Sequence, residues 1–423
     1  MPLENTDQHS SLSVAANTAT DFDVRRLSPE FFENPYPTYL ALRQFDPIHR
    51  MSDGSYFLTR YDDCLSVYRE VQTWSSDKTL DFRPNFADSL LYEHHTTSLV
   101  FNDPPYHTRV RKLLAPAFTP RALRALQARI EHLVDRLLDH AAARGEIDLI
   151  ADFAAAIPIQ LIGDMLGIPQ EEREPLRGWS LAILGALEPV LSRAQFDTGV
   201  RAVAEFKDYL SDVITSRMRS DASDPAEILS KLIGGSTLAA ATESGEQLSP
   251  LELIHNCIFL LNAGHETTTN LIGNAVDLLI RHPDVMSDLR GDPAAIEAAI
   301  EEFLRMESSN QLGNRRAVKD TVLGGIDMAA GTYVQIGIGA ANRDPAQFSD
   351  PDRLHIRRQP NRHLAFGTGI HACAGMSLAR MEAQVAIGRL LARFPRIEPA
   401  GAFARSGRAR FRGFKSYPVR VGG

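Results

Sequence analysis

Cysteine is scarce in this chain: three residues in 423, at positions 64, 257 and 373, with no C-x-x-C pair among them. Three cysteines cannot build a disulfide framework, and a reducing compartment is the simplest setting for them. Long apolar runs are lacking too. Stretches such as Ile258 to Leu261 fall far short of a membrane span. The polar opening MPLENTDQHSSLSVAANTAT lacks the basic-then-apolar order of a signal peptide and reads as a disordered tail over residues 1–22. Positive charge is not in excess: 45 Lys+Arg against 53 Asp+Glu leave a net charge of -8, a poor balance for gripping a phosphate backbone. No G-x-G-x-x-G follows a strand in a βαβ unit, so no flavin or nicotinamide segment is visible. What remains, 44% hydrophobic and 23% charged, is an ordinary globular composition able to bury a large core.

Helical periodicity dominates what is present. Helices are expected over 35–45, 61–71, 104–114, 120–142, 150–166, 170–192 and 194–219, with a hairpin at 48–59 around the Asp53-Gly54 turn. Residues 74–100 show no clear period and read as a long loop, of the kind that is usually functional or disordered. Residues 220–248, with Gly234-Gly235, are the best linker candidate. Strands concentrate at 316–340 and 396–422, flanking an irregular Pro- and Arg-rich stretch at 342–363. The run of six basic residues after 401 reads as a solvated strand surface. The pattern describes one mainly α domain, 23–423, with a minor β part.

Two segments carry chemistry. Ser249-Pro250-Leu251-Glu252 is a capping box with proline at the first helical position, and the helix it opens runs to Pro283, about 50 Å at 1.5 Å per residue. This helix is apolar nearly all round, the mark of a buried one. Its middle, Asn262-Ala263-Gly264-His265-Glu266-Thr267-Thr268-Thr269-Asn270, breaks the pattern. Glycine and threonine are poor mid-helix residues, and threonine hydroxyls can bond back and bend the helix. The run suits either a functional groove with a local distortion or a satisfied polar cluster in a core. A zinc-protease reading of His265-Glu266 fails, because position 269 is threonine where a second histidine is required.

The second segment is Phe366-Gly367-Thr368-Gly369-Ile370-His371-Ala372-Cys373-Ala374-Gly375, just before an amphipathic helix that carries Leu378, Met381 and Val385 on one face. A helix N-terminus stabilises a thiolate, and the glycines allow tight turns and close approach of a flat ligand. One cysteine cannot make a zinc or iron–sulfur site. A lone thiolate on such a loop suits the axial ligand of a haem iron. The competing readings are a buried structural cysteine and a nucleophile with His371 as its base.

Taken together, the loop and the central helix resemble those of a soluble, bacterial-type cytochrome P-450, and the resemblance spans nearly the whole chain. It implies a single-domain cytochrome P-450 fold with haem b between the central helix and the cysteine loop and last helix. Cys373 is then the axial thiolate, with Phe366 and Gly367 beside it. Ala263 and Gly264 lie against the cofactor, and Glu266 and Thr267 form the acid–alcohol pair that relays protons to dioxygen. His107, Arg111, Arg315 and His371 are implied partners of the haem propionates, Arg315 being preferred to Arg316. Glu302 and Arg305 are an implied structural ion pair with Arg353 as third member. The implied activity is that of a haem-thiolate monooxygenase. It inserts one atom of O2 into a hydrophobic small organic substrate. Electrons come from a separate ferredoxin or flavodoxin-like donor with its reductase, docked on cations such as Arg109, Lys112, Arg362 and Arg380. A peroxygenase using H2O2 and a non-enzymatic haem sensor or carrier are the alternatives. The implied setting is cytoplasmic, with no nucleic acid or membrane partner. By the same resemblance the loop at 81–98, residues near 180–192, and residues 259–263, 309–313 and 411–414 line the pocket, where Asn310 and Gln311 would meet either a substrate polar group or solvent.

Overall fold

The computed structural model describes residues 16–218 and 248–422; most of the linker candidate, residues 220–247, lies outside them. The chain forms two compact units, neither of them a continuous stretch. One combines residues up to Ser75 with Ala298–Cys373 and Arg405–Arg412; the other combines Ser76–Glu297, Ala374–Ala404 and the residues from Gly413 on.

The first unit is built on a five-stranded sheet. Its order is Ile48–Arg50, Tyr56–Leu58, Tyr333–Gly337, Leu312–Ala317, Trp74–Ser75. The Asp53-Gly54 turn closes the first hairpin, with Ile48 opposite Leu58 and Gly54 at φ +84, where a side chain would be strained. Alternation sends successive residues to opposite faces. Leu58, Val334 and Ile336 enter one apolar cluster with Trp74 and Phe348, and Phe57 and Leu312 enter another with Phe31, Tyr39 and Leu42.

That second cluster also takes in Ala19 and Phe22, which corrects the expected 1–22 tail over residues 16–22; residues 1–15 lie outside the described ones. Residues 16–20 are helical, Phe22 packs edge-on against Phe57 at 4.9 Å, and its carbonyl meets His49 Nε2 at 2.7 Å. A polar, alanine-rich stretch hides this because only two of its side chains dock. The basic run near the C-terminus needs a correction too. Arg412 is buried, donating to Glu307 (2.8 Å) and to the carbonyls of Phe32 and Glu33. Burial alone would raise the Glu307 carboxyl, but Arg412 and Arg343 beside it hold it at about 2.

The second unit is helical around the central helix, Pro250–Arg281, whose capping box is formed in full at Ser249 and Glu252. Against it pack Ala156–Met165, Glu174–Gly185, Arg193–Met218 and the last helix, Met376–Arg393. Glu174–Gly185 is shorter than the expected 170–192. The unit's small sheet pairs Glu146–Asp148 and Arg396–Pro399 with Pro418–Gly422.

Residues 74–100 are not a loop. After the Trp74–Ser75 strand come helices Thr79–Phe86 and Leu90–Thr97 and a 3-10 turn at Leu99–Phe101. Their inward faces are built of His94, His95, Phe82, Phe86 and Phe101, ring against ring. Pro84 inside the first helix and histidines in the core of the second obscure the period. No helix among the described residues is long and apolar enough to cross a membrane.

Candidate active site

In the first unit, residues 366–373 fold back on themselves. The Cys373 N–H donates to the Phe366 carbonyl at 2.9 Å, Gly367 donates to Leu364, and Ala372 to Gly369. Gly367 (φ +62) and Gly369 (φ +73) occupy the left-handed region. At Gly369 a β-carbon would also lie 2.8 Å from the Tyr68 carbonyl oxygen, so only glycine lets the end of helix Tyr61–Arg69 touch this loop. Cys373 is the partly exposed one of three unbridged cysteines. Cys64 and Cys257 are buried; desolvation drives the Cys64 thiol well up and that of Cys257 to about 12. Of the three, only Cys373 is placed to present a thiolate to a ligand.

Arg315 lies on the loop side of its strand. Its guanidinium sits 5.2 Å over the Tyr68 ring, the residue whose carbonyl meets Gly369. Arg316 points to the other face, over Tyr333 and onto the Gly331 carbonyl. His371 closes the 3-10 turn Gly369–His371, two residues before Cys373. Gln311, a candidate substrate contact, is buried; its side-chain NH2 donates to the Ser308 carbonyl and its backbone N–H to that of Arg410, while its side-chain oxygen has no hydrogen-bond partner among the described residues. Asn310 bridges Phe411.

Glu302 and Arg305, both wholly buried, form a two-bonded pair at 2.8 and 2.9 Å. The third member is Arg358, not Arg353. Arg358 Nε reaches both Glu302 oxygens at 3.2 and 3.1 Å, and Asn361 and the His355 N–H add two more donors. Arg353 has an exposed side chain and supplies only its carbonyl, to Arg305 and Arg358. Leu354 and Ile356 turn inward and Arg357 outward, so the alternation selects 358. That inward rhythm is the signal in the sequence that points to it.

In the second unit, the central helix is unbroken through its polar middle. In place of the distortion expected there, the helix carries two hydroxyl back-bonds: Thr267 Oγ1 donates to the Ala263 carbonyl (2.7 Å) and Thr269 Oγ1 to that of His265 (2.9 Å). From His255 to Leu279 every residue is buried except Phe259, Leu260, Ala263, Gly264 and Thr267. Their spacing confines them to one face, so the helix leaves a single strip for a bound molecule. Glu266, 3% exposed, flanks that strip. A β-carbon at Gly264 would lie 2.3 Å from Ile162 Cδ1, so any larger residue here would have to displace the tip of that side chain. His265 Nδ1 is 3.4 Å from Ser180 Oγ.

His107 and Arg111, four apart, share a face of helix Tyr106–Leu114. His107 is buried and Arg111 half-buried. Arg109, counted among the docking cations, is paired with Glu252 at the start of the central helix. Lys112 and Arg362 are exposed and Arg380 half-buried.

The donor set fits haem. Among the described residues no group of three or more His, Cys, Asp or Glu side chains could hold a metal ion. A metal at Cys373 must therefore bring its remaining ligands with it, as a porphyrin does.

A family model described as Cytochrome P450 matches residues 39–293 and 294–401. Cytochrome P450 107B1 of Saccharopolyspora erythraea is 37% identical over 420 residues, 95% of this chain and 98% of its own length. The vitamin D(3) 25-hydroxylase of Pseudonocardia autotrophica is 38% identical over 88% of this chain and 89% of its own. Among solved structures, P450BioI in complex with an acyl carrier protein bearing hexadec-9Z-enoic acid superposes with a TM-score of 0.86 at 33% identity, covering 93% of this chain and 100% of that one.

Proposed function

The chain belongs to the cytochrome P450 family, and from that premise we propose how its own residues divide the work of a haem-thiolate monooxygenase acting on a small organic substrate. The single observation that carries the assignment is Cys373, a partly exposed thiol on a glycine-turned loop, with no companion metal ligands among the described residues. Haem, when bound, would supply the activation of dioxygen, and Cys373 would hold its metal as a thiolate. His107, Arg111, Arg315 and His371 are the donors for the two propionates, His371 from the loop and Arg315 beside it; charge-assisted bonds of this kind are the strong ones. Ala263 and Gly264 give the cofactor and substrate room on the open strip.

Glu266 and Thr267 are the proton-handling pair. The Thr267 hydroxyl gives its hydrogen to the Ala263 carbonyl, which turns its oxygen lone pairs toward an incoming donor. Glu266, buried one residue away, is the acid that would supply protons, and the Thr267 oxygen would accept a hydrogen bond from the group that carries them. A dry site keeps that transfer from leaking. Thr267→Ala is expected to keep consuming reductant while diverting most of it to peroxide, read as product formed per NAD(P)H oxidised. Unchanged coupling would remove Thr267 from the relay. Glu266→Gln is expected to slow turnover by about 10²-fold, the lower end of what general acid–base catalysis supplies.

The named relatives' ligands, vitamin D(3) and a long acyl chain, share an apolar skeleton. They support an apolar substrate lying along Phe259, Leu260 and Ala263. Electrons arrive from a separate redox partner, and the exposed cations Lys112 and Arg362 suit an acidic ferredoxin or flavodoxin-like carrier. Three cysteines without a disulfide support a cytoplasmic setting. The test is direct: ferric protein is titrated with sterol and fatty-acyl compounds for the spectral shift of displaced haem water, and compounds that bind are turned over with O2 and a ferredoxin–reductase pair. A ferric protein that shifts with none and oxidises none would overturn the substrate reading.

A further inference from the structure

Helix Leu90–Thr97 is eight residues long, far below the length at which a helix stands alone in water, so its docking decides whether it forms. It docks through a chain of ionisable groups. His94 Nδ1 lies 3.3 Å from His255 Nδ1 on the central helix, His255 Nε2 lies 2.9 Å from Glu93 Oε1, and the same oxygen takes Lys207 Nζ at 2.7 Å from helix Arg193–Met218. Both histidines are buried, while Glu93 and Lys207 reach solvent.

The bonding fixes the protons. Ionised Glu93 requires Nε2–H on His255, whose Nδ1 must then accept from Nδ1–H of His94. If both rings are protonated, two N–H groups face each other at 3.3 Å and the bond is lost. We propose that His94 and His255 are a proton-operated latch, holding helix Leu90–Thr97 onto the central helix while neutral and releasing it once both rings are protonated.

The surrounding charges agree. Burial lowers the affinity of His94 for a proton, and its neighbours His95 and His255 lower it further. Burial also lowers that of His255, against the pull of Glu93. Lys207 is paired with Glu93; one turn back on the central helix Glu252 is paired with Arg109; and Lys78 and Asp81, leading into helix Thr79–Phe86, neutralise each other. Because the closed state binds protons less readily than the released one, closure is at full strength above the ordinary imidazole value of 6.5. It weakens as pH falls below that value. The contacts that do not titrate, Asn256 with the Leu99 N–H and the Thr97 carbonyl, keep the following turn in place. On the reading of residues 81–98 as pocket wall, release opens the substrate site in acid.

Amide hydrogen exchange on the full-length holoenzyme tests this at about pH 7.5 and about pH 5.5, one unit either side of 6.5. Rates are corrected for the intrinsic effect of pH. Protection over residues 90–97 is expected to fall about tenfold or more at the lower pH, while the buried stretch 271–279 holds. In His94→Asn/His255→Gln the fall should vanish. Constant protection in the parent protein, or an equal fall in the double variant, overturns the latch. Should the double variant fail to fold, imidazole NMR titration of the parent decides: values at or above 6.5 for both rings overturn it, and depressed values support it. Exchange needs no substrate, so its failure leaves the monooxygenase reading untouched, and the failure of turnover leaves the latch untouched.

Discussion

Cys373→Ser is expected to yield a protein that still folds but has lost the strongly red-shifted Soret band of its reduced carbon monoxide complex, with monooxygenase activity at background. The loop's shape does not depend on the sulfur. The closing bond from residue 373 to the Phe366 carbonyl uses the backbone N–H, and the two turns depend on Gly367 and Gly369. Serine therefore preserves the cradle and removes only the donor. A hydroxyl is not ionised near neutral pH, so it supplies neither the charge nor the electron push of a thiolate. Absorbance of the reduced, carbon monoxide-treated protein checks this. A band that survives the substitution would mean that the ligand is another residue. Since Cys64 and Cys257 are buried with their thiols held protonated, no other cysteine can take over.

The second large effect is expected at Glu302. Glu302→Gln removes the charge that Arg305 and Arg358 share and leaves two buried guanidiniums facing one neutral amide. Breaking a buried pair by removing one partner costs about 3–5 kcal/mol, against a total stability of about 5–15 kcal/mol for a folded protein. The variant should unfold at a much lower urea concentration, or fail to accumulate with haem at all. Arg353→Ala is the control, because that residue offers only its carbonyl; a change within about 0.5 kcal/mol is expected there. Equal losses for the two variants would refute the assignment of Arg358 as third member.

These two predictions mark where the sequence is legible. A cysteine among three glycines and a capping box ahead of a long apolar run are local signals, and local signals survive without coordinates. Glu302 and Arg305 are three apart on one helix and can be paired on paper. Arg358 lies 53 residues beyond Arg305 in a stretch without regular structure, and only the inward turn of its side chain distinguishes it from Arg353 and Arg357. Residues 74–101 fail for another reason. Their helices are held by histidine, asparagine and lysine contacts made after the chain has folded, and residue-type patterns count these side chains as surface. Glu266 and Thr267 were legible as types in a run, but the open strip of the central helix that sets Thr267 apart from Thr268 and Thr269 required the packing.

The docking of Ala19 and Phe22 extends the packed core of the first unit back to residue 19. Phe22 stacks its edge on Phe57, a residue of the sheet that carries Arg315. Shortening the leading end to residue 23 would thus strip a ring from the apolar cluster that backs this sheet and leave Phe57 without its edge-on partner.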